Sequence, residues 1–194
     1  MNRRRFLASL PLLALAGCTQ RTSIDYGHVN ATSPAFGYGD PLPHPYNCSN
    51  GGESPPLTLK NQYPTGKEKT WAVTAQSVPA SSRGNDTETT HPQPVTHWLI
   101  WNIPYGHDLP PNVPYGKTVS SLNNATQGKN DFGDYGYTLG CPLTEKRFLS
   151  FNVFTLTGTI TADLNIAEQD LVDKIYNSGK LQEVGGTGAV VGGK

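Results

Sequence analysis

Residues 147–157 read RFLSFNVFTLT and carry the clearest strand pattern in the chain. Successive side chains of a strand point to opposite faces, so alternate residues share a face. The two faces comprise Phe148, Ser150, Asn152, Phe154 and Leu156 on one side, and Leu149, Phe151, Val153 and Thr155 on the other. Because both faces carry large apolar side chains, the pattern predicts a central strand that is covered on both sides.

Two segments earlier in the chain predict further strands. Residues 71–78 (WAVTAQSV) alternate loosely between apolar and polar, and residues 97–103 (HWLIWNI) form an apolar run that Pro104 ends. The 21 glycines and 16 prolines are too many for a helical protein and suit turns between strands. The sequence therefore predicts a mainly β fold with little helix.

One helix is expected near the C-terminus. Asn165 can cap it, Glu168 follows three residues later, and Gly179 ends it. Its apolar stripe at helical spacing consists of Leu171, Val172, Ile175 and Tyr176. The glycine-rich residues 185–193 predict a short strand and then a frayed tail.

The N-terminal residues predict an export signal. Three consecutive arginines, residues 3–5, precede an apolar run that is shorter than the roughly 20 residues needed to cross a bilayer. We therefore expect residues 1–17 to be a signal peptide for Sec or twin-arginine export.

The end of this signal indicates a lipid anchor. Residues 15–18 (LAGC) resemble a bacterial lipobox, which predicts cleavage before Cys18 and acylation (palmitate among the fatty acids) of that cysteine. The alternative is an ordinary signal peptide with a chance cysteine. We interpret residues 18–33 as the lipidated cysteine and a polar tether. The expected location is the bacterial cell envelope, on the periplasmic face of a membrane or in the outer membrane.

Charge and motif content exclude several functions. The 15 basic and 15 acidic residues balance, and no basic stripe predicts binding to nucleic acid or to an anionic membrane surface. No nucleophile, zinc-protease or phosphate-loop motif occurs, and the five histidines are scattered. We therefore expect no catalytic residues, no metal and no cofactor.

The cysteines predict one disulfide. Once Cys18 is acylated, Cys48 and Cys141 remain as an even pair in an oxidising compartment, where bonded cysteines are the rule. Two free cysteines near a pocket are the alternative.

Four segments in order resemble the phosphatidylethanolamine-binding protein family, which includes the Raf kinase inhibitor proteins and the bacterial YbhB/YbcL type. The segments are NCSNGGESPPLTL (47–59), THWLIWNIP (96–104), GKNDFGDYGYTLGCP (128–142) and KRFLSFNVFTL (146–156). The resemblance covers residues 34–190, which we take as one domain. It implies a β-sandwich with a few peripheral helices.

The resemblance also implies a non-enzymatic binding protein. Family members carry a small pocket for phosphate-like groups and phospholipid headgroups, and many act by binding other proteins. His97, Gly140, Pro142 and Lys146 fall on or beside the pocket positions of the family. Independently of the family, a glycine-rich turn exposes N–H groups that can bind an anion, and a histidine adds a pH-sensitive donor. A histidine satisfied at a strand end is the alternative for His97, and turn geometry alone is the alternative for the glycine-rich loop.

The chain departs from the family pattern in three places. Residues 76–79 (QSVP) replace an Asp-Pro-Asp-x-Pro segment, and residues 146–148 (KRF) replace His-Arg-Tyr. The loop between Pro79 and His97 is about ten residues longer than usual, and two interpretations remain open: it folds over the pocket, or it is a solvated flap. Its candidate polar groups are Arg83, Asp86, Glu88 and His91.

These departures leave two functions to compare. The first is a lipid-anchored protein with an anion or headgroup pocket at His97. The second is a protein–protein interaction or inhibitor module in which that pocket is vestigial.

Overall fold

The computed structural model of the chain describes residues 26–48, 52–83, 93–141 and 143–192. Their regular elements are eight strands and one α-helix: β1 (Tyr26–Thr32), β2 (Thr58–Asn61), β3 (Thr70–Pro79), β4 (Val95–Pro104), β5 (Thr118–Val119), β6 (Ala125–Gln127), β7 (Arg147–Leu156), α1 (Glu168–Asn177) and β8 (Leu181–Val191). Two short 3₁₀ turns, Ala80–Arg83 and Ser120–Leu122, complete them. The mainly β class predicted from the sequence is confirmed.

The strands form one hydrogen-bonded sheet in the order β2-β1-β8-β7-β3-β4-β6-β5. Only the β1–β8 pair among these is parallel. Strand β7 lies in the middle, and its full length pairs with β3 on one side and with β8 on the other. The central position predicted from its two apolar faces is therefore correct.

Apolar layers cover both faces of this sheet. The larger layer contains Trp71, Trp98 and Phe151 of the sheet. Residues of the long connections between strands pack against them. The smaller layer joins Trp101 and Phe154 in the sheet to the apolar side of α1. Alternation along β7 places Phe151 and Phe154 in different layers, as a strand between two cores requires.

Helix α1 begins later than the sequence indicates. Its N-cap is Ala167, which provides no side-chain cap, and not Asn165. The Asn165 backbone N–H and side-chain amide both donate to Asp163 Oδ1, and Asn165 Oδ1 accepts from the Tyr135 hydroxyl. These contacts hold Asn165 in the preceding turn, so its side chain does not cap the helix.

The C-terminal strand is longer than the sequence predicts. The glycine-rich segment indicated a short strand, but β8 has 11 residues and pairs with β7 from Leu181 to Val191. Pairing with the long, well-patterned β7 outweighs the weak intrinsic preference of glycine for strands.

The N-terminal signal and Cys18 lie outside the described residues. The predicted tether of residues 18–33 is wrong in its second half, because Tyr26–Thr32 form β1 and pair with β2 and β8. Within the described part, no helix has the length and apolar character that crossing a bilayer requires.

Candidate functional site

His97 lies at an irregularity in β4. Ala75 of β3 pairs with Trp98, whereas the next residue, Gln76, pairs with Thr96. His97 is therefore the extra residue of a β-bulge, a feature that redirects a side chain out of the regular alternation. The bulge turns the imidazole toward Ser77 and toward the glycine-rich loop of residues 128–141.

Both nitrogens of the His97 ring have protein partners. Nδ1 lies 2.7 Å from the carbonyl oxygen of Thr138, and Nε2 lies 2.8 Å from the Ser77 hydroxyl oxygen. A carbonyl oxygen can only accept, so Nδ1 carries the proton and the Ser77 hydroxyl donates to Nε2. The residue is 1% exposed. A ligand therefore meets neither ring nitrogen in this arrangement.

Arg147 completes the polar group around Ser77. Its Nε donates to Ser77 Oγ at 2.9 Å, its Nη2 donates to the Ser77 carbonyl oxygen at 2.9 Å, and its Nη1 pairs with the Glu145 carboxylate. The Arg147 side chain is 11% exposed. The guanidinium, which is the family residue that this chain keeps, is thus already matched by an acid.

Phe132 covers one face of the imidazole. Its ring stacks on His97 with 5.5 Å between the ring centroids. The same ring lies against Gly140, where φ is +71° and an added Cβ would fall 2.2 Å from a ring carbon. Glycine at position 140 therefore permits both the left-handed turn and the approach of Phe132. The predicted convergence of His97 and Gly140 occurs, but Phe132 fills the space between them.

The electrostatics of the site favour a neutral imidazole. Burial is the largest influence and lowers the pKa of His97, and the Arg147 charge lowers it further. The Thr138 carbonyl and the Asp131 carboxylate act in the opposite direction. Little positive potential is left for an anion, because the histidine is neutral and the arginine is paired with an acid. The two loop aspartates, Asp131 and Asp134, add negative charge nearby.

Asn130 is a site residue that the sequence analysis missed. Its Oδ1 accepts from the backbone N–H of Phe132 and of Asp134, and its Nδ2 donates to the carbonyls of His97 and Gly136. The side chain is buried and ties the loop to β4. Because these partners lie on both sides of a turn, no local motif predicts the role beyond the preference of asparagine for turns.

The carboxylates of the two loop aspartates, Asp131 and Asp134, each accept a hydrogen bond that positions the loop. Asp131 Oδ2 accepts from the distant backbone N–H of Thr96, and Asp134 Oδ2 accepts from the Thr138 hydroxyl. Both carboxylates therefore brace the loop against β4 and against its own end.

The other predicted site residues have different positions. Lys146 is exposed at the start of β7, and Pro142 lies outside the described residues. Cys48 and Cys141 face each other with Cα atoms 5.3 Å apart and sulfurs at bonding distance, which makes them a disulfide candidate. Asp86, Glu88 and His91 of the long loop also lie outside the described residues.

The family of the chain follows from a family model that matches most of its residues. The family model for phosphatidylethanolamine-binding protein matches residues 32–187. The chain belongs to the phosphatidylethanolamine-binding protein family. A UPF0098 protein of Chlamydia muridarum is 28% identical over 145 residues, which span 75% of this chain and 87% of that relative. A UPF0098 protein of Pyrococcus abyssi is 29% identical over 110 residues, or 57% of this chain and 55% of that relative.

Solved structures of the phosphatidylethanolamine-binding protein family share the fold. A Chlamydia trachomatis homologue superposes with a TM-score of 0.66 at 23% identity, covering 86% of this chain and 98% of its own. Escherichia coli YbcL, described as a member of the mammalian family, gives a TM-score of 0.65 at 25% identity, covering 87% and 100%. The family resemblance seen in the four segments is therefore confirmed.

The Ser77–His97 pair has the geometry of a nucleophile and its base, but not the accessibility. Ser77 is 0% exposed and its oxygen already accepts from Arg147. A nucleophile must reach a substrate atom, and the fully buried Ser77 hydroxyl is not accessible to one in this arrangement. Among the described residues, no group of three histidine, cysteine or acidic side chains is arranged to hold a metal ion.

Phe132→Ala is expected to raise the pKa of His97 toward 6.5, the ordinary value for histidine. The substitution removes the ring that keeps water from the imidazole, so desolvation of the charged form decreases. The ring is 42% exposed, so the loss of stability should be only about 1 kcal/mol. Titration of the His97 ring by NMR measures the change, with Tyr63→Ala at another exposed aromatic as control. An unchanged His97 pKa would show that Phe132 does not shield the ring.

Proposed function

We propose that this chain is a non-enzymatic, lipid-anchored binding protein of the bacterial cell envelope that acts by contacting a partner protein, with the family's anion pocket closed. The observation that carries the proposal is the state of His97. Its two nitrogens bind Thr138 and Ser77, and Phe132 covers its ring. No polar atom of the imidazole is left for a phosphate group.

The charge around His97 supports the same function. An anion pocket needs uncompensated donors or cations where the ligand sits. Here Arg147 is paired with Glu145, and the nearby loop contributes the carboxylates of Asp131 and Asp134. A phosphate dianion would therefore be placed beside like charges.

The glycine-rich loop offers an aromatic surface in place of a pocket. Phe132 is 42% exposed and Tyr115, which packs against Gly136, is 58% exposed. The Tyr115 hydroxyl donates to the Tyr137 carbonyl at 2.5 Å, so its ring is held in place. Fixed, exposed aromatic rings are typical of the centre of protein interfaces, because they bury large area at little entropic cost.

The anchoring part of the proposal rests on Cys18. Because Tyr26–Thr32 form β1, only residues 19–25 separate Cys18 from the sheet, so a lipid on Cys18 would hold the domain close to a membrane. Mass spectrometry of the mature protein tests this point. An unmodified Cys18, or a chain cleaved at another residue, would refute the anchor.

A second candidate function keeps the anion pocket and lets Phe132 open it. The observation in its favour is that Phe132 is held by ring contacts to His97 and Gly140 and is partly exposed. Displacement of that one side chain would open the face of the His97 ring and Gly140 to a ligand, which would still have to replace Ser77 or Thr138 to reach a ring nitrogen. This version is the anion- or headgroup-binding function that the family resemblance implies.

One titration separates the two functions. The ¹⁵N-labelled domain is titrated with inorganic phosphate and with phosphoethanolamine to about 10 mM, where a binding free energy near −3 kcal/mol would register. The closed pocket predicts no saturable shift of the His97 and Gly140 amides in the native protein. Saturable shifts at these two residues would instead establish the anion-binding function.

Binding to a partner protein is tested by affinity capture from envelope extracts. The native protein and the Tyr63→Ala control should recover the same partner. The double variant with Phe132→Ala and Tyr115→Ala should not recover it. Tyr63 is 63% exposed, close to the 58% of Tyr115, and lies outside the glycine-rich loop. Equal recovery by all variants would remove the aromatic surface from the proposal.

A further inference from the structure

An open groove of about 630 Å³ lies on the sheet face opposite His97. Ser77 points to His97, so the neighbouring Gln76 points to the other face of β3. Gln76 pairs with Ser150 of β7, and Thr74 pairs with Asn152. The four side chains form a polar strip between the two central strands. Gln76, Ser150 and Asn152 of this strip line one wall of the groove together with the start of α1, whereas Thr74 is fully buried.

Strand β8 leaves the strip uncovered. Ser150 is paired with Gly188 and Asn152 with Gly186, so β8 places no side chain beside either polar residue. Helix α1 covers the sheet further along, through Leu171 and Ile175. The groove is therefore the part of this face that neither β8 nor the helix fills.

The polar side chains of the groove are mostly neutral, and some of their hydrogen-bonding atoms have no partner among the described residues. Within the described chain, the Gln76 amide and the Ser150 hydroxyl have no hydrogen-bond partner. Asn152 uses one amide proton on the Thr74 hydroxyl at 3.3 Å, which leaves its oxygen and the other proton. A half-buried amide donates and accepts equally well, so these groups suit a ligand that also does both.

Among the described residues that line the groove, Glu168 is the only acid and none is basic. Its carboxylate accepts from the Thr74 hydroxyl at 2.9 Å. Burial raises the pKa of Glu168 most, and the charges of Asp131 and Asp173 add to the rise, while the Thr74 hydrogen bond opposes it. A wall without a cation does not suit a phosphate or carboxylate ligand.

Aromatic rings line the apolar part of the groove. Tyr176 packs edge-on against Phe154, and Tyr38 packs edge-on against Phe148. All four rings line the groove. Aromatic faces beside amide and carboxylate groups are the combination that binds a ring with hydroxyls at its edge and C–H groups on its face.

We propose that this groove binds a neutral polyhydroxylated ligand, a mono- or disaccharide, through Gln76, Ser150, Asn152 and Glu168, with Tyr176 against the ring. The volume lies within the range of small-ligand sites. The site is separate from His97 and goes beyond the proposed partner contact. It does not depend on whether the His97 pocket is open.

The test is an NMR titration of the labelled domain that observes the side-chain amides of Gln76 and Asn152. The probes are glucose, N-acetylglucosamine and maltose, with ethanolamine as a cationic comparison and inorganic phosphate as an anionic one. At least one saccharide should cause saturable shifts of both amides. Gln76→Leu and Ser150→Leu should each weaken binding by at least about tenfold, because each removes a hydrogen-bonding group and adds apolar bulk.

The control is Phe132→Ala, which lies on the opposite face and should leave saccharide binding unchanged. Using two independent groove variants keeps the test valid if one of them fails to fold. Three outcomes overturn the proposal: no saccharide shifts the amides, only ethanolamine does so, or both groove variants bind as the native protein does. Phosphate shifts at His97 would bear on the proposed function alone.

Discussion

Replacing Cys48 and Cys141 together by alanine is expected to lower the free energy of unfolding by about 4 kcal/mol. The two cysteines are 93 residues apart in sequence, and a cross-link of that span removes roughly 4–5 kcal/mol of conformational freedom from the unfolded chain in the entropy model. Cys141 ends the glycine-rich loop, and Cys48 lies in the connection between β1 and β2. Urea unfolding of the double variant measures the loss.

The matched control is the native protein with and without a reductant. If the pair is bonded, reduction should lower the stability of the native protein and leave the double variant unchanged. Titration of free thiols in the unfolded protein, without Cys18, should then find none before reduction. Two free thiols, or a double variant as stable as the native protein, would contradict the disulfide.

Ser77→Ala is expected to lower the free energy of unfolding by about 3 kcal/mol, because buried groups that lose a partner cost about 1–3 kcal/mol each. The Ser77 hydroxyl donates to His97 Nε2 and accepts from Arg147 Nε, and the residue is 0% exposed. The substitution leaves both groups without that partner. Thermal or urea unfolding measures the effect.

Ser81→Ala is the control for Ser77→Ala, since Ser81 is exposed in the 3₁₀ turn that directly follows β3. Its cost should stay within about 0.5 kcal/mol. If Ser77→Ala costs no more than this control, the Ser77 hydroxyl does not hold His97 and Arg147 together. The closed arrangement of the site would then need another cause.

Strands β3, β4 and β7 were predictable because their apolar patterns are local, whereas β1, β2, β5 and β6 were not predicted. The apolar faces of residues 147–157 gave a central strand, and Pro104 marked the end of β4 correctly. The start of α1 and the length of β8 were not predictable in the same way. Asn165 is held by Asp163 and Tyr135, and β8 is extended by its pairing with β7; both are tertiary effects on locally ambiguous residues.

The approach of His97 and Gly140 was predictable, but the closure of the space between them by Phe132 was not. The family resemblance placed His97 and Gly140 together, and they do converge. The stacking of Phe132 on His97 depends on the β-bulge in β4 and on the Asn130 hydrogen bonds, which no spacing in the sequence encodes. The groove was missed for a similar reason: Gln76 and Asn152 are 76 positions apart and meet only through the register of β3 and β7.

The pH dependence of the free energy of unfolding also reports the lowered pKa of His97. Its pKa is lowered in the folded protein, so the unfolded chain binds a proton first as pH falls below the ordinary value of 6.5. The contribution of His97 to stability is therefore full above that pH and decreases below it. Subtracting the profile of His97→Gln isolates this component from the opposite trend of Glu168, whose pKa is raised.

The most direct test of the closed, neutral site is ¹⁵N NMR of the His97 ring between about pH 5 and pH 8, without and with inorganic phosphate. We expect the tautomer protonated at Nδ1, a pKa below 6.5, and no change when phosphate is added. A pKa at or above 6.5, or one that rises with phosphate, would mean that the imidazole is open to an anion and that the closed-pocket account is wrong.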